Sequence, residues 1–347
     1  MSRWTPLWVL AGLVACGGSA GPGVSGRSYR MGFSAIPPRA DTALLIPTLT
    51  LAAAHSDAGL MQLGMPWTAL LGGTPAPTEV RTVRLPLADY YRNTGRPIVV
   101  ALDVTDGLNR TREDPQLIAA GRSITDTAVQ RLYREYVAAV DSILHPAYLS
   151  LAAETNLIRL AAPAPVYAAV KQMTNYAAAG LRSRGSATKL LVSVQVETAW
   201  GGLQGGTGYQ GIAQDRADFP FIDVLGLSSY PYLGGYAAPA DIPDDYYTRL
   251  VQAAPIPVLV LEGGWPSGSF PGVTSTPALQ AAYLRRQADL LDRSDAVGLF
   301  QITFTDLDTA GIPALLPFAS LGLVDTALQP KPALAAWDSA FVRPLAP

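Results

Sequence analysis

Eight near-continuous apolar runs recur along the chain, at 29–35, 60–65, 97–103, 147–153, 189–196, 221–228, 256–261 and 296–303. Strands that alternate polar and apolar residues wet one face. Runs apolar at nearly every position read instead as strands covered on both faces. Helical patterns lie between them. Val129, Leu132, Tyr133, Tyr136, Val140, Ile143 and Leu144 recur at three- and four-residue spacing, with Thr125 and Asp126 placed to cap them. Stretches 165–181 and 278–291 read the same way, the first with Gly185 beyond its end and the second behind Ser275-Thr276-Pro277. Weaker helices are expected at 42–54, 86–91 and 244–253, and the link from Trp200 to Asp218 is glycine-rich and poorly helical. Strand–helix alternation repeated eight times favours a single α/β domain, a (β/α)8 TIM barrel, over an open doubly wound sheet. No GxGxxG or phosphate-loop pattern follows the first run, so the usual mark of the nucleotide-binding alternative is missing.

The first residues carry a different message. Arg3 precedes an apolar stretch from Leu7 to Val14 and the segment Leu13-Val14-Ala15-Cys16, the layout of a secretory signal. The stretch is well short of the roughly 20 apolar residues that span a bilayer. LVAC resembles the lipobox of bacterial lipoproteins, in which the cysteine is acylated and becomes the mature N-terminus. The expected divisions are a signal peptide over 1–15, a flexible glycine-rich tether from the lipidated Cys16 over 16–27, and the barrel over 28–347. A lipid-anchored position in the bacterial cell envelope follows. Cys16 is the sole cysteine, which excludes an intramolecular disulfide.

Composition narrows the partners. A net charge of -2, with no block of lysine and arginine, offers no field for nucleic acid or anionic lipid. A neutral oligo- or polysaccharide suits it, and a monomer with no cofactor is expected. The only histidines, His55 and His145, lie away from the strand ends, so no histidine metal site is expected. No GxSxG elbow is present for a serine hydrolase.

Two glutamates stand where barrel chemistry is done, at the C-terminal ends of strands. Glu154 ends the fourth run in LAAETN, and Glu262 ends the seventh in VLVLEGGWPS. A carboxyl pair of this kind can protonate a leaving oxygen and attack a sugar carbon. The EGGWPS segment resembles the nucleophile segment of clan A glycoside hydrolases, and is similar to that of plant-type β-1,3-glucanases. The chain also resembles bacterial arabinogalactan endo-β-1,4-galactanase-like proteins, through DVLGLSSYPYL and the terminal GLVDTALQPKPALAAWD. The resemblance implies a (β/α)8 barrel with the acid/base after strand four and the nucleophile after strand seven. Carried onto this sequence, Glu154 is the acid/base and Glu262 the nucleophile of a retaining hydrolase of β-linked glycans.

Other residues are read around that pair. Asn156, two positions after Glu154, is expected to stand in for the asparagine that this clan places before its acid/base; here that position is Ala153. Glu197, after the fifth run, is a competing carboxyl or a partner that orients sugar. Tyr230 is expected to donate a hydrogen bond to the nucleophile. Trp67, Trp200 and Trp265 are candidates for stacking on sugar faces. Asp103 and Asp306 end the third and eighth runs, placed to bind hydroxyls or brace the glutamates. Negative charge on Glu262 is expected to raise the pKa of Glu154. Two clan features are absent: an arginine at the second strand, where LGMPW stands, and a tryptophan after the eighth, where Phe304 stands. These gaps motivate an alternative, a membrane-anchored barrel that binds glycan without cleaving it.

Overall fold

The computed structural model describes residues 26–203 and 208–346. The expected signal peptide, Cys16 and nearly all of the tether lie outside the described residues. Arg27, assigned above to the tether, belongs to the body. It is buried, pairs with Asp57 at 2.6 Å, and its backbone bridges to Leu345.

Each apolar run contains a strand: β1 (Arg30–Phe33), β2 (Gly59–Gly64), β3 (Ile98–Asp103), β4 (Tyr148–Ser150), β5 (Lys189–Leu191, resuming after Val192 as Ser193–Gln195), β6 (Leu225–Ser229), β7 (Val258–Gly263) and β8 (Ala296–Gln301). All pair in parallel, in the orders β1-β8-β7-β6-β5 and β2-β3-β4-β5. The two halves of β5 join these sheets on one side, and a parallel bridge between Ser34 and Leu60 joins β1 to β2 on the other. The sheet is therefore closed, and closure removes the exposed edges that eight parallel strands would otherwise leave.

Helices cover the outside. Thr127–Leu144, Ala164–Ser183 and Pro277–Asp292 occupy the three clearest helical patterns, and Thr276 caps the last by accepting from the Leu279 N–H. Thr42–Ala54 forms in full despite Pro47. The helix expected over 244–253 shrinks to Thr248–Val251. Two large apolar clusters pack helices onto strands, while a third, including Leu60, Val99, Ala101, Leu191, Leu259, Leu261 and Phe300, comes almost entirely from the strands and fills the barrel. Among the described residues no helix is long and apolar enough to cross a membrane.

Candidate active site

The strand ends converge on a cavity of about 460 Å³ whose lining includes Glu154 and Glu262. Local backbone features aim each carboxyl into it. Past β4, Glu154 takes the left-handed conformation, φ 50° and ψ 48°. A non-glycine residue there costs roughly 1 kcal/mol and persists only where its surroundings fix it. Its N–H donates to Ser193 Oγ at 2.9 Å, and its carbonyl accepts from the N–H groups of Leu157 and Ile158. Glu154 thus opens the helix Thr155–Ala161 with its backbone and leaves its side chain free of capping.

Glu262 reaches the cavity through a bulge. Register shifts between β6 and β7, so that Leu227 faces Val260 but Ser228 faces Glu262. Bulges re-aim side chains in this manner near active sites. The Ser228 hydroxyl then donates to Glu262 Oε1 at 2.5 Å, and Gln62 of β2 donates from Nε2 to Oε2 at 3.0 Å. The glycine that follows is required by space: a Cβ on Gly263 would lie 2.5 Å from the Ser229 carbonyl oxygen.

Beside Glu154 stands a cation that the sequence did not point to. Arg110, from the loop after β3, donates from Nε to Glu154 Oε2 at 2.9 Å and from a terminal nitrogen to both oxygens of Asp103, at 2.6 and 2.8 Å. Asp103 therefore lines the cavity as a brace for Arg110. Burial alone would weaken the guanidinium's charge, but Asp103 and Glu154 outweigh it and hold Arg110 protonated.

Burial pushes the Glu262 carboxyl up to about 7, the Glu154 charge adds to the rise, and the Ser228 hydrogen bond and Arg110 oppose it. Arg110 pairs directly with Glu154, while the hydrogen bonds to Glu262 come from Ser228 and Gln62.

Several expected site residues lie elsewhere. Asn156 is buried and does not reach the cavity; its amide donates to the Gln195 carbonyl and accepts from the Gln195 N–H, both at 2.8 Å. It splices the end of β5 to the helix after β4. Asn156→Ala is expected to cost about 2–3 kcal/mol by stranding both Gln195 backbone groups, measured by denaturant unfolding. Glu197 is wholly buried and touches neither this cavity nor its neighbour. Gln195, the Tyr230 N–H and the Tyr246 hydroxyl all donate to it, and burial raises its carboxyl to about 7 despite them. Through the Tyr230 N–H it holds the segment that follows β6.

Tyr230 does line the cavity, but the hydrogen bonds to Glu262 come from Ser228 and Gln62. None of the three tryptophans lines it. Trp67 is buried in the strand–helix layer. Trp265 is turned inward, donating to Ser275 Oγ at 2.9 Å with its ring against Tyr283. Trp200 stacks on Tyr246 beneath Arg249. Asp306 pairs with Lys331 at 2.7 Å, outside the cavity. The aromatic wall is instead Tyr230 and Phe318, edge to face at 5.4 Å. One missed residue did leave a signal. Gln62 is a lone polar side chain within an apolar strand, GLMQLG.

Parallel strands thus close into a (β/α)8 barrel, with Glu154 and Glu262 at the ends of the fourth and seventh. Solved structures agree on the fold. The exo-β-1,4-mannosidase Op5Man5 from Opitutaceae bacterium strain TAV5 superposes with a TM-score of 0.63 at 18% identity, over 92% of this chain and 60% of that one. GH5_18 from Bifidobacterium longum subsp. longum gives 0.65 at 16% identity, over 92% and 81%. GH5_18 from Streptomyces cattleya, solved with GlcNAc, gives 0.60 at 18% identity, over 93% and 83%. The chain thus spans about three fifths of the mannosidase and about four fifths of the GH5_18 enzymes. No protein-family model matches the sequence, and no curated protein matches it.

Proposed function

We propose that the protein is a retaining glycoside hydrolase acting on β-linked glycosides. The observation that carries this reading is the meeting of Glu154 and Glu262 in one cavity, one from the end of β4 and one from β7. Glu262, ionised, attacks the anomeric carbon while Glu154 gives its proton to the departing oxygen. Water then enters, loses a proton to Glu154, and releases the sugar from Glu262 with its configuration restored. Retention requires a carboxyl separation of about 5 to 5.5 Å, against about 6.5 to 9.5 Å for inversion. Gln62 and Ser228 align the nucleophile, and Arg110 keeps the paired negative charges in one site.

Glu262 must be ionised to attack, and burial raises its carboxyl to about 7. The rate is therefore expected to rise about tenfold per pH unit as the pH climbs toward neutrality. A pH profile of kcat/KM checks this, and a profile flat below neutrality would contradict it.

A panel of β-glycosyl fluorides followed by proton NMR tests the whole reading. The first-formed hemiacetal is expected to be the β-anomer; an α-anomer, or no turnover across gluco, galacto and manno configurations, would reject it. The second reading, a glycan binder that does not cleave, draws on Ala153 standing where the clan places an asparagine and on the absence of its arginine from β2. Binding of sugars without release of any product is the outcome it expects. We attach to the proposal the lipid anchor at Cys16, which rests on the LVAC segment alone. Labelled palmitate should enter the wild-type chain and not Cys16→Ser; equal labelling of both would remove the anchor.

A further inference from the structure

A second, smaller cavity of about 210 Å³ adjoins the first, and the two share Gly107, Leu108, Arg110, Glu154, Tyr230 and Phe318 in their walls. Glu154 borders both cavities, whereas Glu262 borders only the larger. That asymmetry has a chemical meaning if Glu154 is the acid. A nucleophile touches only the sugar it captures, while the acid sits at the junction between that sugar and the group that leaves. The larger cavity then holds the captured sugar, and the smaller one receives the leaving group.

The smaller cavity is poorly made for a second sugar. Leu108, Leu157, Leu203, Leu233 and Phe318 supply its apolar wall. Several polar atoms of its wall are already engaged. Asn109 Oδ1 accepts from the Thr111 N–H and hydroxyl. Gln195 donates to Glu197 and accepts from the Thr198 N–H. Arg110 holds Glu154, Asp103 and Thr105 through Nε and one terminal nitrogen. A sugar hydroxyl left there without a partner would cost about 1–3 kcal/mol. An apolar group, by contrast, gains from every part it buries. The volume is below that of a drug-sized site, which begins near roughly 300 Å³. It fits a fragment.

We propose that this cavity is a leaving-group site for an apolar aglycone about the size of one aromatic ring, so that the preferred substrates are aryl-type β-glycosides. The assignment rests on Glu154 as the acid/base. Its test need not: phenyl and methyl 1-thio-β-glycosides, in gluco, galacto and manno forms, resist cleavage, and their binding to the whole protein can be measured by calorimetry. The phenyl compound of at least one sugar is expected to bind about tenfold or more tightly than its methyl partner, from the apolar area it buries. That ratio should collapse toward one in Leu157→Gln and in Leu233→Gln, which line the smaller cavity and not the larger. Two separate variants guard against a local folding defect in either. Equal binding of phenyl and methyl compounds, binding of neither, or an unchanged ratio in both variants would overturn the proposal. Turnover of glycosyl fluorides with equal thioglycoside binding would sink this inference alone. Preferential phenyl binding with no fluoride turnover would keep the site and reject the hydrolase.

Discussion

Glu262→Gln is expected to lower kcat by about 10⁴-fold or more, because an amide can neither attack the anomeric carbon nor form the ester that water must later open. The fold should not suffer. Glu262 carries a carboxyl raised to about 7, so its ionised form is disfavoured in the folded state. The sign follows from that rise. Below about pH 4.5 the carboxyl is protonated in folded and unfolded chains alike, and it has no effect on stability. As pH climbs through about 7 the unfolded chain releases its proton first, so the native state loses stability over that window. Glutamine removes the charge, and the variant should match the wild type near pH 4 and exceed it above pH 7. The gain is expected to be on the order of 1 kcal/mol, below the roughly 3 kcal/mol such a shift allows. The difference is spent on weaker hydrogen bonds from Gln62 and Ser228, which lose a charged acceptor. Thermal unfolding of both proteins from pH 4 to 8 checks the sign. A variant that is both inactive and unstable would point to a structural role.

Arg110→Met should produce the largest loss of stability. The guanidinium is buried between Asp103 and Glu154, and its charge reaches Glu262 as well. Methionine fills much of the volume and leaves those carboxylates facing one another with no cation. Removing one partner from a buried ion pair costs about 3–5 kcal/mol, and the lower end is expected here because Asp103 is 26% exposed. The deficit should depend on pH. Above neutrality the uncompensated charges are fully present. On acidification Glu262 takes up its proton, and the repulsion fades. Denaturant midpoints should therefore separate widely at pH 8 and approach each other near pH 4. Activity should fall too, with the acid limb of its pH profile moved upward because Glu262 loses a group that lowers its pKa. Equal stability of the variant at pH 8 would contradict the placement of Arg110.

The barrel was legible because its signal is local. Each strand announces itself as an apolar run, and the residue at the run's end identifies the barrel's mouth, which is how Glu154 and Glu262 could be found. The direction of a side chain just past a strand is not local. Trp265 follows Glu262 by three residues, yet its indole turns toward Ser275 and Tyr283 instead of the cavity. Asn156 lies two residues from Glu154, yet serves the backbone of β5. Arg110 escaped notice for the opposite reason: it sits mid-loop in DGLNRTRED, and only the folded chain brings it back to Glu154. Glu197 shows how a strand-end carboxyl can mislead. Where Glu154 turns into the cavity, Glu197 is enclosed by Tyr246 and the Tyr230 backbone. The raised carboxyl of Glu262 was equally beyond the sequence, because it depends on how far the folded chain buries that group.

The account depends on Glu262 forming a covalent bond to sugar. Incubation with 2-deoxy-2-fluoro-β-glycosyl fluorides, followed by proteolysis and mass spectrometry, examines that bond itself. The peptide containing Glu262 should gain the mass of one fluoroglycosyl group and lose activity in step, with no label on Glu262→Gln. A label on any other residue, or none from a sugar whose fluoride the protein hydrolyses, would contradict the account.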